Sequence, residues 1–64
     1  MDADELKNLI RQAASDGDLR IVLSLLKKLC VMRQEQGEHQ RVKSILASIN
    51  ELTDLLNERQ AKWN

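Results

Sequence analysis

Only two positions in this chain of 64 residues readily interrupt a helix. Proline is absent, and glycine occurs only at Gly17 and Gly37. Each glycine follows an apolar segment of helical spacing, the place where a left-handed residue closes a helix. The chain is thereby cut into three, and the spacing predicts helices over about 2–16, 18–36 and 38–62. A chain of this length holds one domain at most, near the lower size at which a domain folds without disulfides or metal. The expected fold is all-α: an up-down-up antiparallel three-helix bundle formed by residues 1–64 as a single domain.

Local signals agree with this division. Asp2 with Glu5 three residues later makes a capping-box-like start to the first helix, and Leu6, Leu9, Ile10 and Ala13 share one face of it. Asp18, directly after Gly17, is placed to cap the second helix. In the third, Val42, Ile45, Ile49, Leu52 and Leu56 step by alternating threes and fours, a seam that favours a shallow crossing of about 20°. Asp2, Asp4, Glu5, Asp16, Asp18 and Glu38 lie at or before helix starts, while Arg33, Arg59 and Lys62 lie toward helix ends, each favourable to the helix dipole. Asp4 with Lys7, Glu38 with Arg41, and Glu58 with Lys62 are expected same-face pairs. The expected core is Leu6, Leu9, Ile10, Val22, Leu26, Leu29, Ile45, Ile49, Leu52 and Leu56.

The second helix carries more apolar residues than one neighbour requires. Ile21, Met32, Leu25, Leu29, Val22, Leu26, Leu19, Cys30 and Leu23 fill an arc of roughly 200° on a helical wheel. Arg20, Ser24, Lys27, Lys28 and Val31 fall outside it. A helix with this arc touches two others. The helix lengths do not match, so Met32 and Val42 at the Gly37 end are thinly covered, and Trp63 extends past the other end. Met32, Val42, Trp63 and Val31 are therefore the candidate interface residues, large apolar side chains being enriched at interface cores. A competing architecture runs one continuous helix through Gly37, at a cost of only about 1 kcal/mol, and pairs it between chains.

Composition narrows the function classes. Ten basic residues balance ten acidic ones, so no net field draws the chain to nucleic acid or an anionic membrane. Lys27, Lys28 and Arg20 read as a solvated face, with no aromatic residue interleaved for base stacking. Neither nucleic acid nor membrane is expected as a partner. No apolar run approaches the roughly 20 residues of a membrane span, and the acidic start "MDADEL" is unlike a secretory signal. The expected localisation is cytoplasmic, or recombinant for a synthetic chain. Cys30 is the only cysteine, and a thiol in an apolar stretch packs as a small hydrophobe.

No catalytic, cofactor-binding or metal-binding residue is expected. The single His39 opens the third helix, and a structural zinc site with Cys30 would need both Glu35 and Glu38 to converge on them. Asp54 and Glu58 lie opposite the seam, where water keeps both ionised.

The stretch "LIRQAASDGDLRIVLSLLKKL" resembles the Rab-binding helical hairpin of rabenosyn-type proteins over about a third of the chain. That resemblance implies two antiparallel helices joined at Gly17, and no functional residue is carried over from it. The minimal glycine hinges, complementary end charges and absence of proline also match the rules by which a de novo protein is designed, with folding itself as its purpose and no partner required. The alternative is a natural protein–protein interaction module that presents a helical face or groove to a helical partner, or pairs as a homodimer.

Overall fold

The computed structural model describes the backbone of residues 1–63 and the side chains of residues 1–59. Three helices follow one another: α1 (Ala3–Ser15), α2 (Leu19–Glu35) and α3 (His39–Trp63). They form an up-down-up antiparallel three-helix bundle, and each boundary lies within a residue or two of its sequence-based expectation. The continuous helix through Gly37 does not form, because Gly37 adopts φ +73° and turns the chain back.

The two hairpin turns have the same construction. Gly17 adopts φ +76°, close to Gly37. The N–H groups of Asp16 and Gly17 donate to the carbonyls of Gln12 and Ala14, and those of Gln36 and Gly37 donate to Met32 and Gln34, all at 3.0–3.1 Å. The amide of Asp18 then donates to Ala13, and that of Glu38 to Arg33, at 3.0 Å in both turns. Each turn satisfies the last carbonyls of one helix while an acidic residue begins the next. Asp2 accepts from the Glu5 amide at 2.8 Å, and Asp18 from the Ile21 amide at 3.4 Å, so both cap as expected.

Helix α2 packs against both neighbours, as its wide apolar arc requires. Among the described residues, however, α1 and α3 bring no pair of Cα atoms within 8 Å of each other. The bundle is a shallow V with α2 at the vertex, 41 × 22 × 12 Å along its principal axes.

This openness redistributes the core. Leu6, Ala13, Val22, Leu29 and Cys30 are buried. Ile10, Leu26, Ile45, Ile49, Leu52 and Leu56 are only half-buried, and no described residue of α3 is fully enclosed. Leu9 is a correction to the expected core: it is 43% exposed. With α2 as its only neighbour, α1 turns Leu6 and Ala13 inward, and Leu9 lies about 60° around the helix from Leu6. The outer edges of the V are polar: Asp4, Asn8, Gln12 and Ser15 on α1 and Gln40, Lys43, Asp54 and Glu58 on α3 are all exposed.

Leu6, 1% exposed, and Leu9 make a controlled pair on one helix. Leu6→Ala should lower unfolding free energy by about 2–5 kcal/mol, whereas Leu9→Ala should stay within about 1 kcal/mol, both read by urea denaturation. A Cβ placed on either glycine meets nothing within 4 Å, so alanine there incurs only the backbone cost of a left-handed residue. Gly17→Ala and Gly37→Ala should therefore destabilise equally, by about 1–2 kcal/mol, in the same denaturation assay.

Candidate functional site

The open side of the V contains a cleft of about 250 Å³ lined by Lys7, Leu29, Arg33, Arg41, Ser44 and Ile45. All three helices contribute. Lys7 follows the buried Leu6 and is turned about 100° from it, which carries its side chain off the α1–α2 seam. Leu29 and Arg33, one turn apart on α2, form the floor. Arg41, Ser44 and Ile45 supply the wall from the first turns of α3.

Arg33 governs the electrostatics of the cleft. It is only 8% exposed, and its Nη1 donates to Glu38 Oε2 at 2.8 Å. Arg41 Nε lies 3.8 Å from the other carboxylate oxygen, Oε1. The hydrogen bond from Arg33 holds the Glu38 carboxyl below the usual glutamate range. Partial burial opposes that shift, while the positive charges of Arg33, Arg41 and Lys7 reinforce it. Among the described residues no buried side-chain nitrogen or oxygen lacks a partner, so the guanidinium nitrogens that do not bond Glu38 remain in reach of water. Three cationic side chains thus surround one carboxylate and two apolar side chains, giving the cleft a net positive charge.

The expected ion pairs sort accordingly. Glu38 pairs with Arg41 as the spacing suggests. Asp4 and Lys7 form no pair within 4 Å; Lys7 lines the cleft instead, where its charge acts on Glu38. The Glu58–Lys62 expectation involves a side chain outside the described residues.

Of the four candidate interface residues, three have described side chains. Val31 is 53% exposed and stands about 100° around α2 from Met32, among the polar side chains. Met32 and Val42 are half-buried, and the Trp63 side chain lies outside the described residues. The cleft was legible through a different signal. Arg33 follows Leu29 by four residues and Leu26 by seven, which puts a charge in the middle of the α2 apolar arc.

A second hollow of about 340 Å³, lined by Arg20, Leu23, Thr53, Leu56 and Asn57, follows the α2–α3 seam. Its charged and amide side chains, Arg20 and Asn57, are exposed. Cys30 is a buried free thiol and His39 is exposed. Among the described residues no three His, Cys, Asp or Glu side chains converge as a metal site would require, and no helix is long and apolar enough to cross a membrane.

No family model, no curated protein and no solved structure matches the chain.

The lowered Glu38 pKa fixes the sign of a pH effect. A carboxyl whose folded pKa lies below its ordinary value of 4.5 contributes stability above that value and loses it as pH falls through the folded pKa. The Glu38 carboxyl carbon, followed by NMR, should titrate with a midpoint below 4.5. Glu38→Gln should reduce stability at neutral pH and flatten the acid limb of the stability profile.

Proposed function

We propose that this chain is a non-catalytic protein–protein interaction module whose binding site is the cleft between α1 and α3 and whose ligand is an amphipathic helix. The observation that carries this reading is the V itself. Both outer helices pack on α2 without approaching each other, which leaves Leu29 and Ile45 in a cleft framed by Lys7, Arg33 and Arg41. A helix laid along the open side would cover the half-buried Ile45 and close over the buried Leu29, the usual groove mode of helix recognition. The volume, about 250 Å³, falls below the roughly 300–1,000 Å³ of sites that enclose small molecules. It suits one or two inserted side chains.

The reading as an engineered fold draws support from the two matching turns. Core filling weighs against it: an idealised design packs its interior fully and keeps charge out of it. Here Arg33 is buried and no described residue of α3 is fully enclosed.

A synthetic peptide with leucines at positions i, i+3, i+4 and i+7, flanked by glutamates and blocked at both ends, is a direct probe. Titrated into isotopically labelled protein, it should shift the amide resonances of Lys7, Leu29, Arg33, Arg41, Ser44 and Ile45. Shifts confined to Leu9, Ile21 and Val31, or none at millimolar peptide, would rule out the cleft as the site.

A further inference from the structure

The chain carries a segment complementary to its own cleft. On α3, Arg41, Ser44, Ser48, Glu51, Leu55 and Glu58 are separated by alternating steps of three and four, so they form a stripe that winds about 100° around the helix, from Arg41 at the cleft to Glu58 on the outer edge, as a shallow left-handed helix–helix crossing requires. Apart from the cleft residues Arg41 and Ser44, this stripe is not used by the fold. Leu55 is 40% exposed, and Glu51 and Glu58 beside it are exposed as well. The neighbouring Leu52 and Leu56 face α2 and are half-buried, which holds Leu55 outward about 40° around the helix from Arg41.

The order of charges along the stripe selects a geometry. It begins with Arg41 at the cleft and ends with Glu51 and Glu58 around an exposed leucine. Two such stripes match when antiparallel, basic end against acidic end, and oppose like charges when parallel. Antiparallel matching of identical stripes is an isologous twofold interface, the commonest arrangement of homodimers. Ser48 would sit near the twofold axis. The Ser44 and Ser48 hydroxyls already donate to the carbonyls of Gln40 and Ser44, at 3.4 and 3.3 Å, so a close crossing there strands no donor. With ten positive and ten negative residues, two copies meet without net repulsion.

We infer that the helix received by the cleft is α3 of a second copy, laid antiparallel so that Leu55 of each chain enters the cleft of the other and its flanking carboxylates meet Arg41 and Lys7. This inference rests on the reading of the cleft as a helix-binding site and adds the identity of the occupant.

The test is sedimentation equilibrium of the whole chain under reducing conditions, up to about millimolar concentration, with charge reversals at both ends of the stripe. The wild type should show a concentration-dependent monomer–dimer equilibrium. Arg41→Glu and Glu58→Lys should each raise the dimer Kd by about tenfold or more, and the double variant should restore it to within about threefold of wild type. Circular dichroism checks that each variant is folded. Glu58→Lys alters only an exposed position on α3, so it reports even if Arg41→Glu destabilises the turn. A wild type that stays monomeric throughout overturns self-docking; shifts of the cleft resonances by the leucine–glutamate peptide would then leave the cleft reading standing with a foreign helix as ligand. A dimer indifferent to both single reversals, or one that the double variant does not restore, overturns this interface.

Discussion

Everything in this molecule depends on α2 having an apolar arc wide enough for two neighbours and a charge in the middle of it. The arc fixes where α1 and α3 attach, one on each flank, through Leu6 and Ala13 on one side and the half-buried seam from Val42 to Leu56 on the other. Arg33 occupies the sector between those flanks. Closing α1 onto α3 would remove the Arg33–Glu38 pair from water, and burying two ions costs several kcal/mol for each unless every donor and lone pair finds a partner. Arg33 has one side-chain partner close enough for a hydrogen bond, Glu38, with its remaining nitrogens in reach of water. The open cleft is the arrangement in which that requirement is met.

The two turns show how little sequence change is needed to produce this asymmetry. When Gly37 is aligned on Gly17, the backbone hydrogen bonds coincide, Asp18 falls on Glu38, and Ala13 falls on Arg33. Both Ala13 and Arg33 are buried beneath their turns and both offer a carbonyl to the acidic residue that follows. In the first turn the buried side chain is a methyl group, and the aspartate is free to cap α2. In the second it is a guanidinium that holds the glutamate carboxylate to itself. The same backbone solution therefore gives a plain hairpin at one end and a charged corner at the other.

The elements were legible in the sequence because local chemistry decides them. Two glycines without proline gave the helix count, Asp2 and Asp18 gave the starts, and the width of the α2 arc gave the central helix. The packing was less legible. Periodicity places Leu9 and Leu6 in one stripe, but it does not say how many neighbours a helix has. With one neighbour instead of two, α1 needs only the narrower sector around Leu6 and Ala13. The same shortage of neighbours leaves the α3 seam half-exposed although its spacing is regular. Of the residues chosen for large apolar side chains, Val31 is exposed and turned about 100° from the half-buried Met32, since spacing alone does not say which faces a neighbour covers. The cleft depends on an ionic residue at an apolar position, which a count of hydrophobic residues passes over.

A charge at the position of Arg33 is a local conflict: the helical pattern asks for an apolar residue, and folding alone would be served by leucine or methionine. Such conflicts tend to mark sites where a second requirement acts on the sequence. Here the conflict coincides with the cleft, the carboxylate drawn toward it carries a lowered pKa, and two further cations converge on that carboxylate. Outside the cleft the outer edges are polar, Asp2 and Asp18 cap their helices and the thiol is buried, while Leu9, Ile21, Val31 and Leu46 stay exposed. The buried charge of Arg33 and the half-buried Ile45 lie together at one corner, above the buried Leu29.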